Sequence, residues 1–166
     1  MYRRMADFSK DYKSLTEGTG RIFGALTNDN VHKAIPGYNR TLGQVAWHIV
    51  ATIPEMMNRT GLGMSAIDHE SMPPDTAADI VTAYQKASTE LSDSLKSWSD
   101  ETLEKTDDLY GETWQRGATL AILIRHEVHH VGQMTVLLRQ AGSVVPGIYG
   151  PAKEEWQKYG MPEPPY

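Results

Sequence analysis

Cysteine is absent from this chain of 166 residues. Its absence removes disulfides, thiolate metal ligands and a cysteine nucleophile together. Long apolar runs are missing too: nothing approaches the roughly 18 residues of a membrane-crossing helix, so no membrane partner is expected. Excess positive charge is also lacking. The 16 Lys and Arg are outnumbered by 21 Asp and Glu, giving a net charge of −5. A protein of that sign has no long-range attraction for phosphate backbones, and nucleic acid is not an expected partner. Met1-Tyr2-Arg3-Arg4 leads toward Phe8-Ser9-Lys10-Asp11 and not into an apolar stretch, which argues against a secretion signal. A cytoplasmic protein is the simplest expectation. Hydrophobic residues at 40% against 22% charged suffice for a packed core, and the length suits a single domain over 1–166.

Helical periodicity recurs in four segments, expected at about 5–26, 41–60, 76–98 and 115–140. In the first, Phe8, Tyr12, Leu15, Thr19, Ile22 and Leu26 repeat at spacings of three and four. Gly18, Gly20 and Gly24 weaken its propensity but let a neighbour approach closely. The second opens at Thr41-Leu42-Gly43-Gln44, which fits a capping box, and Gly61 and Gly63 end it. Pro54 inside it removes the bond to the Val50 carbonyl, so a kink or an early end is expected. The third begins at Thr76 with Asp79 three residues on and carries Ile80, Tyr84, Ala87, Leu91 and Trp98 on one face. The fourth stops at Gly142, a position that favours a left-handed residue. Strand signals are weak. Pro36-Gly37 and Pro73-Pro74 mark loops, and Ser99–Trp114 has room for a short helical turn. The tail from Ser143 is proline-rich and irregular, with Trp156 and Tyr159 as its expected anchors. The pattern predicts an all-α fold, an antiparallel four-helix bundle.

The chemistry concentrates in Arg125-His126-Glu127-Val128-His129-His130-Val131-Gly132-Gln133. His126 and His130 fall about 40° apart on a helix and one turn apart along it, close enough to share one cation. Leu123 and Leu137 flank them, so both lie on an inward stripe. His48, among Val45, Ile49 and Thr52, repeats the pattern on the second helix. Three inward imidazoles are costly to bury unpartnered. A divalent cation bound through their lone pairs resolves that cost and keeps one coordination position open, the pattern of catalytic sites. Zinc or nickel suits three imidazoles best, with iron, manganese or copper as further choices. Glu127 and Gln133 are the candidates for proton handling or for orienting a ligand. His129 reads as a residue flanking the site, His32 as a loop residue and His69 as a solvated loop residue, none of them a ligand.

Two other readings compete with this one. His126-Glu127-Val128-His129-His130 also satisfies H-E-x-x-H, the zinc peptidase motif, with Glu127 as base and Glu154 or Glu155 as third ligand. Such peptidases lay substrate along an edge strand, and the sequence offers no convincing strand. A non-catalytic bundle that holds its cation for stability is the other alternative.

Thr41-Leu42-Gly43-Gln44-Val45-Ala46-Trp47-His48-Ile49 after Pro36-Gly37, followed later by His126-Glu127-Val128-His129-His130-Val131-Gly132-Gln133, resembles the DinB/YfiT-like superfamily of four-helix-bundle metalloproteins along nearly the whole chain. The resemblance implies His48, His126 and His130 as ligands. Val131 stands where many members have arginine, so nothing attached to that arginine carries over. It also implies thiol-dependent transferases and isomerases that use a low-molecular-weight thiol such as bacillithiol or mycothiol, and a homodimer; the open three-histidine set itself points to a metal-dependent enzyme acting on a small-molecule substrate, with hydrolysis as the alternative to thiol transfer. Without cysteine, any sulfur chemistry here needs an external thiol.

Overall fold

The four periodic segments form four long α-helices, α1 (Met5–Phe23), α2 (Leu42–Asn58), α3 (Ala77–Ser94) and α4 (Arg116–Gln140). The computed structural model describes residues 1–34 and 37–165; Pro36 of the first loop motif and Tyr166 of the tail lie outside them. The fold is mostly helical. Helix α2 packs on α3 and α4, and α1 packs on the same two. Phe8, Leu15, Ile22, Phe23, Leu42, Ile49, Ile80, Leu91, Leu120 and Leu138 fill the space between them.

Local signals set the helix ends. Thr41 and Gln44 form the reciprocal capping box, with the Gln44 amide donating to Thr41 Oγ1 at 3.2 Å and the Thr41 amide to Gln44 Oε1 at 2.8 Å. The Asp79 amide donates to Thr76 Oγ1 at 3.1 Å. Gly142, at φ +77, closes α4 in the left-handed region, as a C′ glycine does. Pro54 does not end α2, which continues to Asn58 with the ring buried. Helix α1 stops at Phe23, short of the expected 26, and Leu26 joins the core from the turn beyond it. The last turn expected of α3 tightens into a 3₁₀ turn over Leu95–Ser97.

Two expectations need correction. A β-hairpin, β1 (Thr106–Leu109) with β2 (Glu112–Gln115), follows the short 3₁₀ helix Asp100–Glu104. Tyr110 and Gly111 both have positive φ, +58 and +82, the backbone of a tight hairpin turn. Arg116 fastens the hairpin: it pairs with Asp107 at 2.8 Å, donates to the Thr60 carbonyl at 2.8 Å and lies 4.9 Å from the Trp98 ring centre. The tail, in turn, is not anchored through Tyr159, which is 62% exposed. It docks through buried Val145 and through Ile148 on α1, where Arg21 donates to the Gly147 and Ile148 carbonyls at 3.0 and 3.1 Å. A Cβ on Gly18 would stand 2.6 Å from Ile148 Cγ2, so that glycine makes room for the tail and not for a second helix.

Tyr38, just before α2, reaches Gln133 near the end of α4, while Arg116 at the start of α4 meets Thr60 just beyond α2. The two helices therefore run antiparallel, and His48 faces the middle of α4.

Candidate metal centre

His48 from α2 and His126 and His130 from α4 point their imidazoles at one another. His126 Nε2 lies 3.2 Å from His48 Nε2 and 3.1 Å from His130 Nε2. Ligand atoms of all three rings fall within 4.8 Å of one another. Donors bound to one tetrahedral zinc at its usual bond length stand about 3.3 Å apart, so the set fits a single ion. The one-turn spacing of His126 and His130 supplies two of these donors, and the packing of α2 on α4 supplies the third.

Hydrogen bonding fixes how the set can work. Gln133 Oε1 is 2.7 Å from His130 Nδ1. A carbonyl oxygen only accepts, so Nδ1 carries the proton and Nε2 keeps its lone pair toward His126. The same oxygen accepts from the Tyr38 hydroxyl at 3.4 Å, and the Gln133 amide nitrogen donates to His129 Nε2 at 3.2 Å. Gln133 thus orients one ligand and ties the loop before α2 to α4. Tyr38, which no motif singles out, completes this link.

Burial sets the charge state. It holds His48 and His126 well below the usual imidazole range, each at about 4, and it lowers His130 as well. Positive neighbours add to this: His130 and Arg40 act on His48, while His130 and His48 act on His126. Glu55 works in the opposite direction on both His48 and His126. At neutral pH the rings are uncharged, with lone pairs free for a cation. His126 Nε2 carries at most one proton and cannot donate to both neighbouring Nε2 atoms, so one of the two short contacts is left without a good hydrogen bond. A divalent cation removes that conflict.

The depressed values have a consequence for the metal-free protein. The unfolded chain binds protons at His48 and His126 below about pH 6.5, whereas the folded chain resists doing so until about pH 4. Over that window the unfolded state holds more protons, so stability rises with pH. Chemical denaturation of the metal-free protein should give a midpoint that falls from pH 6.5 to pH 4; zinc should raise the midpoint without flattening that fall, because metal-bound rings take up no protons either. A flat midpoint across that range would show that the rings are not desolvated.

Glu127 lies elsewhere. It is 1% exposed, and its Oε1 accepts from Thr19 at 2.8 Å and Tyr84 at 2.7 Å, side chains of α1 and α3. Its partners are core residues and not the histidines, so the expectation that it handles protons for the cation gives way to a role in the core. The H-E-x-x-H reading loses its parts in the same way. His129 is exposed, Glu154 pairs with Arg139, and Glu155 accepts from the Gly147 and Ala152 amides at 3.1 and 3.0 Å. His32 and His69 are exposed loop residues.

A family model described as the DinB family matches residues 1–164. The chain belongs to the DinB family. YrdA of Bacillus subtilis (strain 168), described as an uncharacterized protein, is 39% identical to this chain over 165 residues, covering 99% of each chain. A DinB-like protein from Bacillus cereus ATCC 10987 has a crystal structure that matches with a TM-score of 0.84 at 37% identity, over 90% of this chain and 100% of that one. A second DinB-like structure, YjoA from Bacillus subtilis, matches at a TM-score of 0.68 and 15% identity over 86% of this chain and 96% of its own, a likeness of fold alone. Among the described residues of this DinB-family chain, no helix is long and apolar enough to cross a membrane.

Proposed function

We propose that this DinB-family protein is a metal-dependent enzyme acting on small molecules, a transferase using a low-molecular-weight thiol or a hydrolase, with His48, His126 and His130 as ligands. The observation that carries the reading is the convergence of three neutral Nε2 donors from two helices. Zinc or nickel fits an all-imidazole set best. We read the four long helices as an antiparallel four-helix bundle of the DinB/YfiT type, a single cytoplasmic domain that pairs as a homodimer and does not bind nucleic acid.

His48, His126 and His130, all neutral and without a carboxylate among them, would hold a divalent cation whose uncompensated charge would supply Lewis acidity toward a water or a thiol at neutral pH. The chain's own residues do the rest. His130 is fixed in one tautomer by Gln133, so its lone pair needs no reorientation when the ion arrives. His48 and His126 are only partly buried, which leaves solvent access on the side where a substrate enters. Tyr38, through Gln133, holds the loop that borders this opening.

The deciding experiment uses protein purified without a nickel column, loaded with zinc or nickel, and given 1-chloro-2,4-dinitrobenzene with and without bacillithiol or cysteine. Thiol transfer forms a carbon–sulfur bond and releases chloride, and it is expected to require both metal and thiol above the uncatalysed rate. Turnover of an ester substrate without thiol would support the hydrolase arm. Tight metal binding with no acceleration of either reaction would favour a non-catalytic cation site.

A further inference from the structure

Glu127 places a carboxylate on the core side of α4, directly after one candidate ligand and three residues before the next. Its side chain is buried against α1 and α3. There Oε1 accepts from Thr19 Oγ1 of α1 at 2.8 Å and from Tyr84 Oη of α3 at 2.7 Å. One oxygen thus joins three helices. Apart from His130, the nearest buried side chains of α4, Leu123, Val131 and Met134, are apolar.

Apolar packing alone tolerates small turns of a helix, because its attraction is non-directional. A wholly apolar trio of the same shape in this place would cost the core little stability. What it would lack is direction. A hydrogen bond weakens steeply as its angle bends, so a single acceptor bonded to two other helices fixes how far α4 is turned about its own axis. Setting a register in this way is the best-attested use of a lone polar group in an apolar core. The metal site depends on that setting. A ring nitrogen about 6 Å from the helix axis moves about 1 Å for every 10° of turn. His48, on α2, stands 3.2 Å from His126 Nε2, and donors in such a site must hold within about 0.5 Å. A turn of about 5° uses up that tolerance.

We propose that Glu127 is a positioning residue for the metal site: bonded to Thr19 and Tyr84, it sets the rotation of α4 at which His126 and His130 meet His48. The inference rests on the metal-site reading above and gives Glu127 no contact with ion or substrate. Helices α1 and α3, which carry no ligand, then take part in defining the site.

Zinc affinity of full-length chains, measured by competition with a chelator where circular dichroism shows each metal-free form folded, tests this. Thr19→Val and Tyr84→Phe each remove one bond and keep the shape. Each should bind zinc about three- to tenfold more weakly, and the double variant more weakly still. Glu127→Gln keeps the acceptor and should bind as the wild type does. So should Ile22→Val, a change of similar cost in the core face of α1. Loaded with cobalt(II), whose visible absorption follows its coordination geometry, Thr19→Val and Tyr84→Phe should give shifted bands, while Glu127→Gln and Ile22→Val keep those of the wild type. Unchanged affinity in Thr19→Val and Tyr84→Phe, while His126→Ala abolishes binding, would overturn the positioning role and leave the metal site standing. An equal loss in Ile22→Val, or weaker binding with wild-type cobalt bands, would overturn it in favour of a general loosening of the core. A loss in Glu127→Gln as large as in the Thr19 and Tyr84 variants would overturn it in favour of the carboxylate's charge. Failure of the wild type to bind zinc would bring down the metal site and the positioning role together.

Discussion

Alanine at position 126 is expected to abolish tight binding of a divalent cation, with affinity falling by about two orders of magnitude or more. The reason is geometric. His126 Nε2 is the atom that both other rings approach, at 3.2 Å for His48 and 3.1 Å for His130. Without it, two donors remain on opposite helices with no shared neighbour, and a two-imidazole site competes poorly with water. Zinc at about a hundredfold excess over its dissociation constant should stabilise the wild type by about 2.7 kcal/mol, and this increment should vanish in His126→Ala. His129→Ala should keep it, because that ring is exposed and faces Gln133. The metal-free variant should still fold, since the ring it loses is only partly buried. Metal content and zinc-dependent melting temperature measure both effects, and wild-type metal content in His126→Ala would refute the site.

What the sequence revealed and what it concealed follow from the range of the forces involved. The helices were legible because apolar spacing, the Thr41–Gln44 box and the stop at Gly142 are local signals, each acting within one or two turns. The histidines were legible for the same reason: one-turn spacing places His126 beside His130, and a single inward ring on α2 completes the set. The hairpin was not, because Tyr110-Gly111 is a poor turn signal and tertiary contacts hold it in place, among them Arg116 to Asp107 and Thr60 and Tyr110 to Glu55. The tail anchor was missed because Trp156 and Tyr159 are the larger hydrophobes, while the fit depends on Gly18 leaving space for Ile148. Glu127 shows the limit most clearly. Its place in H-E-x-x-H suggested chemistry beside the histidines, yet adjacent helix positions lie about 100° apart, so a neighbour in sequence faces another side of the helix.

That placement makes Glu127 the source of the largest stability effect expected in the molecule. Its carboxyl is buried among Thr19, Tyr84 and Tyr12, and burial raises its pKa despite the hydrogen bonds that favour the anion. Oε2 and the Tyr12 hydroxyl are both buried without a partner among the described residues, which is the costly state for polar groups in a core. Glu127→Ala removes the acceptor shared by Thr19 and Tyr84 and opens a cavity, so a loss of about 3–5 kcal/mol is expected at neutral pH. Glu127→Gln keeps the acceptor at Oε1 and adds a donor on the orphaned side, so it should stay within about 1 kcal/mol of the wild type near pH 5. The two then diverge. The native acid holds its proton above the pH at which the unfolded chain releases it, near 4.5, so the native state binds more protons and wild-type stability falls as pH rises through that range. The glutamine variant lacks this slope and should gain on the wild type as pH rises above about 4.5, the histidine slope being common to both proteins and cancelling in the difference. Denaturation midpoints of both proteins across that range measure the difference, and parallel curves would mean that the buried carboxyl is already ionised in the native core.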